Sequence, residues 1–212
     1  SAVSHLINCP GAETEQALEN LLEHSLEHQA VNIAKRKAVE VLGRLGATSL
    51  MPVIGQCLWS EDRYLVENTI CALKQLKCNQ PDLIAKLIDL LNDNLYNQRV
   101  LIQCLASLSV KECIPTIELL KDSECFGIKG AAISADAQLS GNRKQLSVVA
   151  DHLLLSNQMD RQCAIQDLID AQAVEHCDCC ITGLSSLSLA CLPTSSEFKR
   201  EISSINSINS PR

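Results

Sequence analysis

Aromatic residues are scarce: Trp59, Tyr64, Tyr96, Phe126 and Phe198 are the only five among 212 positions. A core with so few rings has to be filled by Leu, Ile, Val and Ala. The apolar fraction is still 46%, a balance that suits closely packed helices. Glycine numbers 8 and proline 6, too few for the many tight turns of a β sandwich or barrel. There is no block of Lys and Arg, and the formal net charge is −7, so a phosphate backbone is a poor partner and no nucleic acid is expected. Walker, GxGxxG and GxSxG patterns are missing, as is any Cys/His pair placed for nucleophilic catalysis, which argues against an ordinary kinase or hydrolase. The uncharged run at 179–196 is broken by Ser and Thr and reads as a buried helix with a polar stripe rather than a membrane span. No signal-peptide pattern opens the sequence.

Cysteine, by contrast, is abundant, with twelve in all. Cys57, Cys71, Cys104, Cys113 and Cys163 fall inside apolar helical patterns, where a free thiol acts as a small core residue. That usage fits a reducing, cytoplasmic compartment better than a disulfide framework. The string His176-Cys177-Asp178-Cys179-Cys180 is the most metal-like in the chain. It crowds its ligands together without a second cluster, so no metal site is expected. His24 and His28 share a helix face without a third ligand, and both are expected to face solvent.

What is present is a helical period. After a Pro10-Gly11 turn, Thr14 is placed to cap a helix through Leu18, Leu21, Leu22 and Leu26. A second helix runs from about Asn32 to Leu45 and stops at Gly46. From there the chain repeats. Leu42 and Leu45 recur as Leu73 and Leu76, these recur as Leu105 and Leu108, and Leu108 recurs as Leu139. Between these A helices lie shorter B helices, predicted at Leu50 to Leu58, Leu83 to Leu91, Ile114 to Leu120 and Gln145 to Leu155. Pro52 and Pro115 suit first helical turns, and Pro81 starts or just precedes a third. A fifth A helix is predicted from Asp160 to Ala171 and a closing helix from Val174 to about Leu189. The reading is all-α: an α-solenoid of HEAT-like helix pairs with a 31–32 residue period over residues 1–192. Residues 193–212 form a Ser/Asn-rich C-terminal tail.

The stretch Trp59 to Leu76, WSEDRYLVENTICALKQL, carries the densest chemistry. Tyr64, Tyr96 and Phe126 follow nearly the same period and fall at A-helix starts, so stacked repeats align them as a ladder. One account is a hydrophobic staple at each helix entry. The other is a surface for a planar ligand or partner, which Trp59 favours. Glu61, Asp62 and Glu67 are either solvated turn and N-terminal carboxylates or groups that hold protonated heterocyclic nitrogens. Arg63 and Arg99 could grip carboxylates, or Glu67 and Arg99, at equivalent repeat positions, could pair across adjacent helices.

With Trp59, Asp62, Tyr64, Leu65, Val66, Glu67, Asn68, Ala72 and Leu73, this stretch resembles the repeat of E/F-type phycobilin lyases. The closing LPTSSEFKREI (Leu192 to Ile202) is similar to the smaller, F-type subunit. Cys71 departs from the pattern, where relatives often carry a second Trp. The resemblance implies a lyase that works as a heterodimer with a larger E-type subunit. Together they attach phycocyanobilin through a thioether to a cysteine of the phycocyanin α subunit, with detachment or transfer as related outcomes. Phycocyanobilin is then substrate, and no cofactor is held permanently. The reaction adds a substrate thiol across the ethylidene double bond, which asks for positioning and proton control. The resemblance implies Asp62 and Glu67 as the catalytic carboxylates at the pyrrole nitrogens. It implies Trp59, Tyr64, Asn68 and Tyr96 as bilin contacts, with Arg63 and Arg99 for its propionates. The competing readings are a non-catalytic HEAT-repeat chaperone or scaffold for phycobiliprotein assembly, a general protein-interaction adaptor, and a helical-repeat DNA glycosylase, which the acidic charge disfavours.

Overall fold

The apolar stripes of the repeat cannot be buried by one helix pair alone, and the chain solves this by stacking pairs. The computed structural model describes residues 2–24, 29–93 and 97–173, and every regular element among them is helical. A short α1 (Ala2–His5) leads to α2 (Ala12–Glu23) and the first A helix, α3 (Gln29–Leu45). Four further A helices follow: α5 (Arg63–Gln75), α7 (Gln98–Ser107), α9 (Phe126–Ser140) and α11 (Gln158–Asp170). Between them run the B helices α4 (Met51–Gln56), α6 (Pro81–Asn92), α8 (Ile114–Leu120) and α10 (Leu146–Asp151). Each A helix packs on the next, while α4, α6, α8 and α10 pack against α5, α7, α9 and α11 respectively. The protein is thus an all-α solenoid of HEAT-like pairs. Pro52, Pro81 and Pro115 all sit in first turns, where no intrahelical N–H is lost.

The repeat is clearest at the A-helix C-termini. Gly46, Lys77, Ser109, Gly141 and Gln172 all have left-handed backbones, one closing each A helix in turn. After four of them the next N–H reaches back to the helix: Ala47 to Leu42 O, Cys78 to Leu73 O, Val110 to Leu105 O and Ala173 to Leu168 O. That is the Schellman closure, which satisfies orphan carbonyls. All eight of those residues are buried, so the periodic leucines and the residues past each turn plug the same layer.

Two apolar clusters share this scaffold. One runs from Leu18 to Leu139 and the other gathers Ile133, Leu146, Val149, Leu168 and Ala173. They meet on α9, which contacts α7, α8, α10 and α11. Its small residues Gly127, Gly130, Ala131, Ala132 and Ala135 are buried, because a helix enclosed on four sides has room for little more.

Several expectations are corrected here. Thr14 does not cap α2: its hydroxyl donates to Cys9 O at 2.6 Å and the N-cap is Gly11. Cys57, Cys104 and Cys113 are buried, but Cys71 is exposed and Cys163 only half-buried, because they lie off the apolar stripes of α5 and α11. His24 is exposed. Leu26, His28, Tyr96, the His176–Cys180 string, the closing helix from Val174, and Phe198 in the tail lie outside the described residues. Among the described residues, no helix is long and apolar enough to cross a membrane.

Candidate functional site

The loop from α4 into α5 ends with Asp62, and α5 begins there because its carboxylate supplies the cap. Oδ1 accepts from the Tyr64 and Leu65 N–H groups at 3.0 and 3.3 Å. Oδ2 accepts from Arg36 Nε at 2.7 Å. Arg36 reaches across from α3 and lays its guanidinium 4.8 Å from the Tyr64 ring centroid, a cation–π contact. Asn68 closes the knot by donating to Arg36 O at 3.0 Å. One turn on, Glu67 accepts from Arg63 Nε at 3.2 Å. Asp62, Arg63, Tyr64, Glu67 and Asn68 are therefore brought together, with Arg36 as the partner that joins α3 to α5.

Trp59 and Tyr64 remain 53% and 61% exposed, unusual for large rings in a chain so short of them. Tyr64 is the second residue of α5 and Phe126 the first of α9. Neither is the residue before the cap that a hydrophobic staple requires, which removes that account. Phe126 instead meets His152 edge-on, with centroids 5.0 Å apart. Lys86 of α6 stands 5.6 Å from the Trp59 ring centroid. The edge of the solenoid around the α4–α5 loop is thus an exposed pairing of aromatic rings with cations.

Beside it opens a cleft of about 330 Å³ between α2, α3 and α4, lined by Leu22, Glu23, Lys35, Val53, Gln56, Cys57, Trp59, Ser60 and Leu65. Lys35 is half-buried and donates to His24 O at 2.6 Å. Burial pushes the Cys57 thiol up, against the opposing pull of Lys35 and a hydrogen bond with Thr69. It is held protonated, as are Cys104 and Cys113, which burial pushes up to about 12 and about 11. These thiols are core packing rather than nucleophiles.

Arg99 belongs elsewhere. Its Nη1 donates to Asp167 Oδ2 at 2.8 Å and Gly127 O at 2.6 Å. Nη2 donates to Asp167 Oδ1 at 2.7 Å and Cys163 O at 3.1 Å. The expected Glu67–Arg99 pair is therefore corrected: Glu67 turns to Arg63 on its own helix, and Arg99 reaches over α9 to α11. A propionate at Arg99 would have to displace a carboxylate that is 1% exposed. Burial pushes Asp167 up to about 6, and Arg99 only partly offsets it. Burial also works against the Arg99 charge, but Asp167 more than compensates and holds the guanidinium firmly protonated.

Sequence reasoning passed over Arg36, Lys35, Glu23 and Asp167. A signal for Arg36 was available: it precedes Glu67 by one full repeat, which puts it at the same repeat position. Lys35 and Glu23 carry no motif, and their convergence depends on how α2 folds onto α3 and α4.

The fold and this edge define the class first: a HEAT-like α-solenoid with a cleft at an aromatic, cation-flanked rim. Comparison with known proteins then narrows it. No protein-family model matches the chain. It is similar to the bilin biosynthesis protein CpeY of Synechococcus sp. (strain WH8020), with 48% identity over 176 residues, 82% of this chain and 42% of the relative. The uncharacterized phycocyanin operon protein Y of Pseudanabaena tenuis (strain PCC 7409) is 36% identical over 170 residues, 80% of this chain and 40% of its own length. The chain thus spans about two fifths of the length of these curated relatives. Among solved structures, the complex of CpcE and CpcF of phycocyanin lyase from Nostoc sp. PCC7120 contains a similar chain. The TM-score is 0.69 at 19% identity, covering 96% of this chain and 87% of that one. At that identity the likeness is one of fold.

Proposed function

We propose that this solenoid serves the attachment of a bilin to a phycobiliprotein. In the finer form, phycocyanobilin is joined by a thioether to a cysteine of the phycocyanin α subunit, and this chain works with a larger helical-repeat lyase subunit. The observation that carries the reading is the 48% identity to a bilin biosynthesis protein across 82% of the chain. The exposed Trp59 and Tyr64 beside a cleft support it, since flat rings suit a conjugated open-chain tetrapyrrole. In the reaction, the acceptor sulfur bonds to the ethylidene carbon, the double bond becomes single, and the thiol proton ends on the neighbouring ring carbon. A binding surface accelerates this by orientation and by favouring the protonated bilin. Trp59, Tyr64 and Asn68 are the proposed contacts here, with Tyr96 from the same sequence ladder, Arg63 for a propionate, and Asp62 or Glu67 at the pyrrole nitrogens.

One set of observations favours a second reading, a non-catalytic chaperone. Both Asp62 oxygens are engaged, by the α5 cap and Arg36, and Glu67 is paired with Arg63. The test is a transfer assay with this chain, the larger subunit, phycocyanobilin and apo-α subunit, each omitted in turn. Colour on the acceptor that survives acid-urea and requires this chain supports the lyase. Bilin binding without covalent colour supports the chaperone. Asp62→Asn sharpens the result, because Asn caps a helix as well as Asp: lost transfer in a folded variant assigns the charge to catalysis, and retained transfer assigns it to structure.

A further inference from the structure

We infer that the cleft between α2, α3 and α4 is the carboxylate-reading end of the bilin site, with Lys35 binding a propionate and Trp59 stacking on the adjoining ring. This rests on the proposed bilin function and specifies which groups read the ligand. Among the cations near the exposed rings, Lys35 is the one placed to meet a ligand in the cleft. Arg36 is tied to Asp62 and Arg99 to Asp167, and Arg63, the proposed partner of the other propionate, does not line the cleft. Lys86 lies against the Trp59 ring. Lys35 alone among them lines the cleft, and its contact with His24 O uses one of three ammonium donors. The remaining walls suit an amphipathic ring: Leu22, Val53 and Leu65 are apolar, while Glu23 and Gln56 offer acceptors for pyrrole N–H groups.

The size agrees with one end of the ligand rather than all of it. About 330 Å³ lies at the small end of the range for small-molecule pockets, roughly 300–1,000 Å³. The rest of an open-chain tetrapyrrole would run out over the exposed rim at Trp59 and Tyr64. Half-burial of Lys35 strengthens a charge-assisted contact, because water competes less for the ammonium.

The experiment titrates the chain with phycocyanobilin and with its dimethyl ester, following the visible absorbance. The ester keeps the conjugated rings and removes both carboxylates. The wild type is expected to bind the free acid about tenfold tighter than the ester, the scale of one charge-assisted hydrogen bond. Lys35→Gln should abolish that preference without weakening the ester, and Lys35→Arg should restore it. Trp59→Ala should weaken acid and ester alike. A Lys35→Gln protein that still prefers the acid overturns the inference, as does acid binding unchanged by either substitution. If covalent transfer proceeds while the chain alone shows no acid preference, the inference falls and the lyase reading stands. If neither binding nor transfer occurs with the larger subunit present, the functional reading falls and takes the inference with it.

Discussion

Gly43 and Gly130 stand at helix-stacking interfaces in different parts of the solenoid, and each makes room for something different. On α3, a Cβ at Gly43 would lie 2.9 Å from both the Cα and Cβ of Ala72, so α3 and α5 approach backbone to backbone. On α9, a Cβ at Gly130 would lie 2.5 Å from Asp167 Oδ2, so the gap there holds a carboxylate. Around Gly43 the first interface is apolar, with Val39, Leu42, Val66, Ile70 and Leu73 buried, and its polar contacts, Arg36 with Asp62 and Asn68, lie towards the start of α5. The second is threaded by polar contacts: Arg99 grips Asp167, and Ser134 Oγ donates to Asp167 O at 2.7 Å. Stacking of one repeat type thus tolerates two chemistries, provided that a glycine vacates the contact. The apolar interface draws its stability from area, and the polar one depends on every donor finding its acceptor.

The comparison breaks most directly at Arg99. Arg99→Met removes one partner of a buried pair and leaves an uncompensated carboxylate, a change that costs about 3–5 kcal/mol. The loss depends on pH, and its sign follows from Asp167. The carboxyl's folded value of about 6 lies above its ordinary 3.8, so the folded state binds the proton more tightly than the unfolded chain. The stability this contributes is present below the ordinary value and is lost as pH rises through about 6. Without Arg99 the carboxyl moves higher still. Denaturant melts should therefore show a larger loss for Arg99→Met at pH 8 than at pH 5. No such difference is expected for Leu73→Ala in the apolar half. Equal losses at both pH values would mean that Asp167 is not the group on which the interface turns.

The glycines themselves give the next effect. Gly43→Ala forces α3 off α5 and should cost about 1–3 kcal/mol, although alanine is the better helix former by about 1 kcal/mol. Gly130→Ala should cost a similar amount, for a different reason that a double-mutant cycle can expose. Its close collision is with the end of one side chain, so combining it with Asp167→Ala should give clear non-additivity. Gly43→Ala has no such rescue, because its obstacle includes the Ala72 backbone. Chemical denaturation of the singles and the double reads both outcomes.

The apolar half was more legible in the sequence than the polar half. Leucines at 42, 73 and 105 repeat because each plugs the same layer, so period, helix pairs and proline positions followed from spacing alone. The Arg99–Asp167 bridge joins positions 68 apart, from helices two places apart in the stack, and spacing arguments look only to the neighbouring repeat. The gap that permits it is written as FGIKG, Phe126 to Gly130, which carries no signature beyond two glycines. At the rim, the Trp59–Tyr64 stretch stood out as exposed chemistry, and Asp62 as a helix-start carboxylate. Its engagement with Arg36 was hidden because a cap leaves one oxygen free, and only the stacking of α3 decides what takes it. Near-equal spacing of Tyr64 and Phe126 likewise did not mean equal surroundings, since one meets a guanidinium and the other an imidazole.

The smallest effect tests whether both halves close their A helices in the same way. Gly46 and Gly141 have φ of 73° and 77°, and a Cβ at either meets nothing within 4 Å. Replacing either by alanine therefore reports backbone strain without a collision, and each change should cost about 1 kcal/mol. Lys77, Ser109 and Gln172 occupy the same turn with φ of 52° to 58° and already bear that strain. Lys77→Gly and Gln172→Gly, one from each half, should each stabilise by about 0.5 kcal/mol, because relief of the left-handed strain there slightly exceeds the extra entropy that glycine adds to the unfolded chain. Thermal melts of the four single variants would read these shifts. Equal gains at 77 and 172 mean that the turn is set by the helix end and is indifferent to the interface beside it. A gain at 77 alone would mean that the polar contacts of the second half already hold Gln172 in place, and that the two halves differ in their turns as well as in their packing.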